Sequence, residues 1–448
     1  MQEARPRSLT SLEAAVAGRE AYDLARSLFP LPRSLTGDGV RETLRIVRQV
    51  VPLEVTEVPS GTPIFDWTVP REWNVADAWI ADASGRRIVD FRENNLHLLG
   101  YSRPVRETMT GAELDEHLHS LPEHPDWIPY RTAYWADTWG FCLSERQRAD
   151  IRPDERYEVV IDATLEDGHL TYAEAVLPGE SDEEVLLSTY ICHPSVANDN
   201  VSGIALLAVL GAWLGVLGLL SERPLRRTHR FLFSPGTVGP LAWLSRNLER
   251  LERLELIHAG AVVACVGDAG PIRYKRSRRG DAPIDRAAAH VLRHTRPDAL
   301  VEDFVPWGGD ERQFCSPGFD LPIGAFTRTP HGLYPEYHSS ADDLDLIGPE
   351  SLGDSLAALV EILDVLERDR TYRSRSPYGE PQLGRRGLYR EISVGVPRED
   401  EAFQRALMWV LSQADGTRSL LDTAERAELP FRLVADAADA LLEAELLE

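Results

Sequence analysis

The stretch that decides the fold is residues 183–203, which read EEVLLSTYICHPSVANDNVSG. Its first part, EEVLLSTYI, is an apolar run with β-forming residues and predicts a buried strand. His193 follows this strand, Asp199 lies in the polar loop after it, and we expect a helix to begin at Ser202. In open α/β sheets, ligands bind beyond the carboxyl ends of the strands. The stretch therefore predicts a strand–loop–helix unit with a histidine and an aspartate at a ligand-binding edge.

These two side chains are chemically suited to a metal ion. Neutral imidazole and carboxylate together are ligands for zinc or a similar divalent cation. Many loops contain a histidine and an aspartate at such a spacing, so His193 and Asp199 alone are weak support for a metal site. Further ligands must come from elsewhere in the chain.

Two later loops concentrate ionisable residues, GGDERQF at 308–314 and YPEYHSSADDLD at 334–345. Such clusters are unfavourable unless they are solvated or paired, so they are candidates for ligands and proton-transfer groups. The alternative is a solvated acidic loop before a helix that begins near residue 349. His331, in TPHGLYPEYH, could lie near the site, but we interpret it as a histidine of a surface loop.

The sequence around this stretch alternates strands with helices. YEVVIDATL (157–165), EEVLLSTYI, HRFLFSP (229–235) and AGAVVACVG (259–267) have the composition of strands. Residues 201–220 and 240–254 are expected to form the intervening helices, and a helix at 349–367 closes the domain. This alternation predicts an α/β fold with a mixed, mostly parallel sheet covered by helices.

The flanking regions differ in amino-acid composition and periodicity, which predicts further domains. Residues 11–52 have helical periodicity, whereas 57–148 are rich in Pro, Gly and Trp and indicate an inserted β-rich domain. The Pro/Gly/Arg stretch 370–387 has the composition of a linker, and three amphipathic helices follow in a helix-turn-helix-like arrangement. We therefore expect an α/β domain at 1–56 and 149–372, a β domain at 57–148 and a C-terminal domain at 373–448.

One segment is apolar enough to cross a membrane. Val201–Leu220 is uncharged and about as long as a bilayer is thick. It directly follows the polar His/Asp loop and is followed by the helix-stopping residues Ser221–Pro224. We therefore interpret it as a helix buried in the protein core.

Charge and cysteine content exclude some partners and compartments. The net charge of -24 disfavours nucleic acids and anionic membranes, and residues 398–448 hold five Arg and no Lys against twelve acidic residues. We expect the C-terminal domain to serve packing or homo-oligomerisation. The four scattered cysteines and the absence of an uncharged apolar stretch in the first thirty residues favour a cytoplasmic location.

The combination of His193, Asp199, Asp310 and His338-Ser-Ser-Ala-Asp resembles the co-catalytic zinc aminopeptidases and the related glutaminyl cyclases. Nearly the whole chain is similar to a bacterial aminopeptidase-like family. That family has a peptidase-like domain, an inserted β domain and a C-terminal winged helix. The blocks that carry this similarity are RSLTGDGVR (33–41), PSGTPIFDWTVPREWN (59–74), IPYRTAYWADTWGFC (128–142), CHPSVANDNVSG, GGDERQFCSPGFDLPIG, PEYHSSADDLD and GEPQLGRRGLY.

The resemblance implies roles for individual residues in this sequence. His193 matches the first zinc ligand, Asp199 a carboxylate that can bridge two ions, and His338 the last ligand. Asp268 matches a further carboxylate ligand more loosely, so one or two Zn2+ ions are implied. Asp310 and Glu311 match a pair beside the substrate. The residues expected to contact substrate are Tyr190, Tyr337, Arg312 and Arg328, although a structural role suits either arginine equally well.

The chain departs from the family pattern at one position. Zinc aminopeptidases need a carboxylate as general base, and close relatives have Pro-Glu-Thr-Ile-Gly where this chain has Pro235-Gly236-Thr237-Val238-Gly239. Three outcomes remain open. Glu311 or Asp310 acts as the base in a zinc hydrolase of an amide or peptide bond, with a small-molecule or peptide-like substrate. Alternatively, the chemistry is acyl transfer or cyclisation in a biosynthetic gene cluster, or the protein only binds a ligand.

Overall fold

The computed structural model describes residues 10–220, 225–251, 256–388 and 398–448. The chain divides into two compact units: one comprises the residues up to Gly280 together with Leu300–Ala357, and the other comprises Asp281–Ala299 and Ala358–Glu448. The strands are β1 (Glu54–Pro59), β2 (Pro63–Ile64), β3 (Trp67–Thr68), β4 (Glu72–Ala81), β5 (Arg87–Asp90), β6 (Val105–Thr110), β7 (Leu118–His119), β8 (Phe141–Cys142), β9 (Arg156–Glu166), β10 (His169–Leu177), β11 (Ser181–Tyr190), β12 (Arg227–Ser234), β13 (Ile257–Val263), β14 (Arg273–Lys275), β15 (Leu300–Glu302), β16 (Ile323–Thr327), β17 (Thr371–Arg373) and β18 (Asp415–Ser419).

The helices alternate with these strands in the first unit and dominate the second. They are α1 (Ser11–Leu28), α2 (Asp38–Val47), α3 (Gly111–Leu114), α4 (Glu145–Ala149), α5 (Ser202–Leu220), α6 (Val238–Arg246), α7 (Leu248–Leu251), α8 (Pro283–Thr295), α9 (Glu311–Phe314), α10 (Pro349–Arg368), α11 (Arg398–Gln413), α12 (Leu420–Ala427) and α13 (Phe431–Glu443). Short helical turns lie at Asn95–His97, Asp115–His117 and Leu383–Arg386.

The core of the first unit is an eight-stranded mixed sheet in the order β1-β10-β12-β11-β13-β16-β14-β15. Its four central strands, β12, β11, β13 and β16, are mutually parallel. β11 is flanked by parallel neighbours on both sides, and its last seven residues are buried. A strand buried on both faces favours consecutive apolar residues, as at 185–187, and its buried polar residues Glu184 and Thr189 are paired with Arg230 and the Val263 carbonyl. The predicted α/β fold is confirmed.

The second sheet of this unit has four strands in the order β5-β4-β9-β6. Its long central pair is antiparallel and joins Glu72–Ala81 to Arg156–Glu166. The assignment of YEVVIDATL to the main sheet is therefore wrong, because that sequence forms β9 of this smaller sheet. Buried and exposed residues alternate along β9, as expected for a sheet with one covered face. Strands of the main sheet also show this alternation, so it does not distinguish the two sheets.

The apolar segment expected in the core forms α5. The stretch Ala197–Gly215 is long and apolar enough to span a bilayer, but 89% of its hydrophobic window is buried inside the protein. This burial agrees with the interpretation as a core helix. The expected stop signal at residues 221–224 lies outside the described residues.

The second unit combines α8, the carboxyl-terminal half of α10 and the three predicted helices α11, α12 and α13. Arg286 on α8 donates to Asp422 and Glu425 at 2.7 Å each. The Phe431 amide donates to His290 Nε2 at 3.0 Å. The stretch 370–387 was expected to be a linker. Its first part, Thr371–Arg373, instead forms strand β17, which pairs with β18.

Candidate metal centre

Three of the predicted ligands come together at the carboxyl end of the central strands. The ligand atoms of His193, Asp199 and His338 all lie within 4.8 Å of one another. His193 follows β11, Asp199 lies in the turn that leads into α5, and His338 lies in the loop between β16 and α10. His338 Nε2 is 3.0 Å from Asp199 Oδ2. The loops that the sequence analysis singled out therefore meet at one point.

The chemistry of this cluster fits a zinc ion. Tetrahedral zinc with bonds of about 2.0–2.2 Å places neighbouring ligand atoms roughly 3.3 Å apart, close to the His338–Asp199 separation. Asp199 is completely buried, yet neither its Oδ2 nor His338 Nε2 has a well-aligned hydrogen bond. Buried polar atoms without partners are rare, and a cation between them would satisfy both. These residues form a site that a divalent ion matches.

Protonation states also favour metal binding. Burial, only partly offset by Asp199, lowers the pKa of His193 to about 4, so its imidazole is neutral at physiological pH. Burial alone would raise the pKa of Asp199, but His193 and His338 beside it hold that pKa well below its usual range. A neutral imidazole and an ionised carboxylate are the forms that bind a metal.

The turn that carries Asp199 is positioned by Asp342, the last residue of the His338-Ser-Ser-Ala-Asp motif. The carboxylate of Asp342 accepts from the backbone amides of Asn198 at 2.6 Å and Asp199 at 3.0 Å. Its Oδ2 also accepts from the Tyr334 hydroxyl at 2.9 Å. This motif carries part of the family resemblance, but no role was predicted for Asp342. The feature of the sequence that could have identified Asp342 is its place in that motif.

Asp268, expected as a further ligand, does not belong to this cluster. Its Oδ1 accepts from the Gly270 amide and the Thr329 hydroxyl, both at 2.7 Å. Its Oδ2 accepts from the Asn198 side chain at 2.9 Å and the Thr329 amide at 3.1 Å. Because both oxygens accept hydrogen bonds, we interpret Asp268 as a support for the Asn198 turn, and its role as a ligand stays a prediction.

A second group lies on the other oxygen of Asp199. The Tyr190 hydroxyl donates to Asp199 Oδ1 and lies 2.8 Å from His331 Nε2. The ligand atoms of Asp199, Cys265 and His331 also lie within 4.8 Å of one another. The interpretation of His331 as a surface-loop residue is therefore wrong. Cys265 was missed as well, and its only sequence signal was its position just after a buried strand.

Gly236 stands where the family resemblance implies a glutamate. The Gly236 amide donates to Cys192 Sγ at 3.2 Å, and a β-carbon built on Gly236 would lie 3.8 Å from Asp310 Oδ2. Asp310 Oδ1 accepts from the Thr237 amide at 2.8 Å. Burial raises the pKa of Asp310 to about 6. A carboxylate from another loop therefore lies beside Gly236.

Glu311, the neighbouring candidate, is in a different electrostatic environment. Its side chain is fully buried, and its Oε1 is 2.6 Å from Lys275 Nζ. The same ammonium donates to the Trp307 carbonyl at 2.6 Å. This ion pair places an ammonium directly against Glu311 Oε1.

The two arginines expected at the substrate donate hydrogen bonds to other groups of the protein. Arg312 donates to the carbonyls of Gly308 and Gly309 at 2.6 and 2.9 Å. Arg328 donates to the Gly270 carbonyl at 2.7 Å and to Asp354 at 3.1 Å. The structural alternative is thus favoured for both.

Both tyrosines expected at the substrate contact the candidate ligands. The Tyr337 ring stacks on His338 with centroids 3.9 Å apart. The Tyr190 ring centroid is 5.1 Å from that of His193. They are therefore placed to orient the candidate ligands.

Comparison with known proteins places this geometry in a family. The family model described as a domain of unknown function, DUF4910, matches residues 22–369, and a winged helix-turn-helix model matches residues 370–448. A Clostridium acetobutylicum protein, named for polysaccharide biosynthesis with an aminopeptidase-like domain, is 47% identical over 431 residues, or 96% of each chain. The DUF4910 match and the match to the Clostridium acetobutylicum protein each extend over most of the sequence.

Solved structures give the same result for the fold. A crystal structure of a protein from Clostridium acetobutylicum, described as a peptidase, has a TM-score of 0.90 and 45% identity, and the match covers 98% of this chain and 97% of that one. BSAP, a zinc aminopeptidase from Bacillus subtilis, has a TM-score of 0.55 at 12% identity, over 77% of this chain and 94% of that one. The second likeness shows the fold alone. The chain therefore belongs to the DUF4910 family, with a zinc-aminopeptidase-like fold followed by a winged helix-turn-helix.

Proposed function

We propose that this protein is a zinc-dependent hydrolase of an amide or peptide bond in a small amino-acid-like or peptide-like substrate. The observation that supports this proposal is the convergence of ligand atoms from His193, Asp199 and His338, two of them without hydrogen-bond partners. These residues would hold the ion, and Cys265 and His331 offer a second set that shares Asp199. Bound zinc supplies Lewis-acid chemistry, which polarises a carbonyl and lowers the pKa of water.

In this proposal Asp310 is the general base. It lies beside Gly236, and its pKa of about 6 lets it accept a proton near neutral pH and release it again. Glu311 is less suited because its Oε1 is already held in an ion pair with Lys275. The single hydrogen bond from the Thr237 amide to Oδ1 orients the carboxylate and leaves Oδ2 available for the proton.

The test of the metal site is zinc stoichiometry combined with hydrolysis of aminoacyl amides by the purified full chain. His193→Ala is expected to lose bound zinc and activity together. His229→Ala is the matched control, since His229 is also buried and lies on neighbouring β12, outside the cluster. Retention of zinc by the His193 variant, or no zinc in the natural protein at near-stoichiometric supply, would reject the proposal.

Gly236 favours a second candidate, a repurposed enzyme of acyl transfer or cyclisation, or a ligand-binding protein. The name of the Clostridium acetobutylicum relative points to substrates from polysaccharide biosynthesis for such a role. Gly236→Glu separates the candidates, because an added β-carbon meets no atom closer than 3.4 Å. If the glutamate raises amide hydrolysis by about 10²-fold or more, the natural chain lacks a working base. If hydrolysis is present and barely changes, Asp310 suffices.

A further inference from the structure

The two carboxylate oxygens of Asp199 have different surroundings. Within the described part of the chain, Oδ2 lies 3.0 Å from His338 Nε2 and has no well-aligned hydrogen bond. Oδ1, in contrast, accepts from the Tyr190 hydroxyl. A carboxylate that bridges two metal ions must present each oxygen to an open position. Only the Oδ2 side of Asp199 meets this condition.

The Tyr190 hydroxyl lies among the second set of ligand-type residues, which consists of Asp199, Cys265 and His331. Its oxygen contacts Asp199 Oδ1 and is 2.8 Å from His331 Nε2 and 3.9 Å from Cys265 Sγ. The ligand atoms of this set lie within 4.8 Å of one another, so an ion bound by all three would lie between them. The phenolic oxygen therefore occupies the space that a second ion needs.

The hydrogen bonds of this hydroxyl also determine which nitrogen of His331 carries a proton. Tyr190 has one hydroxyl proton, and an ionised carboxylate only accepts, so this proton points to Asp199 Oδ1. The hydroxyl oxygen then accepts, and His331 Nε2 supplies the hydrogen of the 2.8 Å contact. A ring nitrogen that carries a hydrogen has no lone pair for a metal ion. The second set is therefore not in a metal-binding state.

The fold holds Tyr190 in this position. Tyr190 is the last residue of β11, and only 4% of its surface is exposed. Its carbonyl accepts from the Asn200 side chain at 3.0 Å, which connects it to the turn of Asp199. Its ring centroid lies 5.1 Å from that of His193 and 5.9 Å from that of His331. A second ion would have to break two buried hydrogen bonds and displace a packed ring, which is unfavourable.

We infer that Tyr190 makes this centre mononuclear. Its hydroxyl fills the second set, and the single ion is held by the first set, which consists of His193, Asp199 and His338. Tyr190 is also a positioning residue, because its bond to Oδ1 fixes the carboxylate with Oδ2 towards that ion. The inference rests on the proposed function, which requires the first ion. It departs from the bridged pair of ions that the family resemblance allows.

Metal stoichiometry tests the inference on the purified full chain without any activity measurement. Metal-free protein is titrated with Co2+, whose absorption spectrum reports its ligands, and with Zn2+. We expect one equivalent of either ion and no thiolate-to-cobalt charge-transfer band, because Cys265 is not a ligand. Two equivalents, or a charge-transfer band that disappears in Cys265→Ser, overturn the inference and leave the first ion in place. No bound metal at all rejects the proposed function together with the inference.

Removal of the Tyr190 side chain should open the second set. Tyr190→Leu is expected to bind two equivalents of Co2+ and to gain the charge-transfer band, which the additional change Cys265→Ser should remove. Tyr172→Leu is the matched control, since Tyr172 is also buried and lies on β10 of the same sheet, outside both sets. It should stay at one equivalent. A folded Tyr190→Leu variant that still binds one equivalent contradicts the role of the hydroxyl.

Tyr190→Phe keeps the ring and removes only the hydroxyl, so it tests the positioning of Asp199 in a chain with little disturbed packing. Loss of a hydrogen bond to a metal ligand typically weakens metal binding by about 10- to 100-fold. We expect the dissociation constant of the first Co2+ to rise within this range, whereas Tyr172→Phe should leave it unchanged. An equal affinity of Tyr190→Phe and the natural chain overturns the positioning role.

Discussion

Asp310, the proposed general base, is held in an environment that lowers the stability of the folded protein. Its carboxyl is buried, it accepts one backbone hydrogen bond, and its pKa is raised to about 6. Since this pKa exceeds that of the unfolded chain, ionised Asp310 destabilises the folded state. The destabilisation is absent below about pH 4, grows as pH rises towards 6, and is complete above that.

Asp310→Asn is therefore expected to stabilise the protein and to impair it. At pH 8 the free energy of unfolding should rise by about 1–3 kcal/mol, and the gain should shrink towards zero as pH falls from 6 to 4. Amide hydrolysis should fall by about 10²-fold or more. Denaturant unfolding at pH 4, 6 and 8, together with rate measurements, checks both expectations.

Asp364 on α10 is the matched control for this prediction. Burial also raises its pKa to about 6, but it lies in the second unit, near Arg368. Asp364→Asn should show a similar dependence of stability on pH and full activity. Equal losses of activity in both variants would show that Asp310 has no special part in proton transfer.

At the scale of elements, the start of α5 and the turn before it decide where Asp199 lies. Gly203, in the first turn of α5, packs against that turn and the two adjacent strands. A β-carbon there would lie 2.7 Å from the Val263 carbonyl and 2.8 Å from the Thr189 hydroxyl. Asn200 donates to the same hydroxyl at 2.7 Å. The helix can approach the strands this closely only because residue 203 has no side chain.

Two glycines on this helix make a matched pair of predictions. Gly203→Ala should destabilise the protein by about 1–3 kcal/mol through overpacking and should weaken zinc binding by displacing the turn of Asp199. Gly215→Ala should stabilise by about 0.5–1 kcal/mol, because its new β-carbon only touches Leu177 at 3.7 Å. Denaturant midpoints and zinc titrations measure both. Equal effects of the two substitutions would contradict this account of the packing.

At the scale of the whole molecule, the family boundary and the compact units do not coincide. The winged helix-turn-helix model begins at residue 370, but Asp281–Ala299 and Ala358–Glu448 form one compact unit. Arg286 and His290 on α8 form hydrogen bonds with Asp422, Glu425 and the Phe431 amide. A chain that ends at the family boundary therefore removes these partners of α8.

Truncation after residue 369 is accordingly expected to yield aggregated protein. The control is an intact chain with a protease site inserted beside Tyr378, which is 97% exposed. After cleavage its two fragments should remain associated through α8 and its partners in the second unit. Gel filtration of both preparations is the measurement. A soluble, monodisperse truncated chain would show that α8 does not need the residues beyond 369.

Much of the fold could be predicted from the sequence because local patterns determine it. The apolar run at 183–191 predicted the central strand, and the helical periodicity of 349–367 and of the C-terminal segments was confirmed. The assignment of 157–165 to the main sheet failed, since a strand's alternation does not specify which strands it pairs with. That choice depends on contacts with β4 and β6, which are distant in sequence.

For the site, the sequence by itself determined the kinds of ligand and the loops that carry them, through motifs around His193, Asp199 and His338. Only the tertiary structure decided which polar groups meet. It placed Asp268 outside the cluster, with its oxygens in hydrogen bonds, brought in His331 and Cys265, and placed Asp310 beside Gly236. The physical reason is that hydrogen-bond saturation, burial and pKa depend on neighbours from distant parts of the chain, which no local pattern specifies.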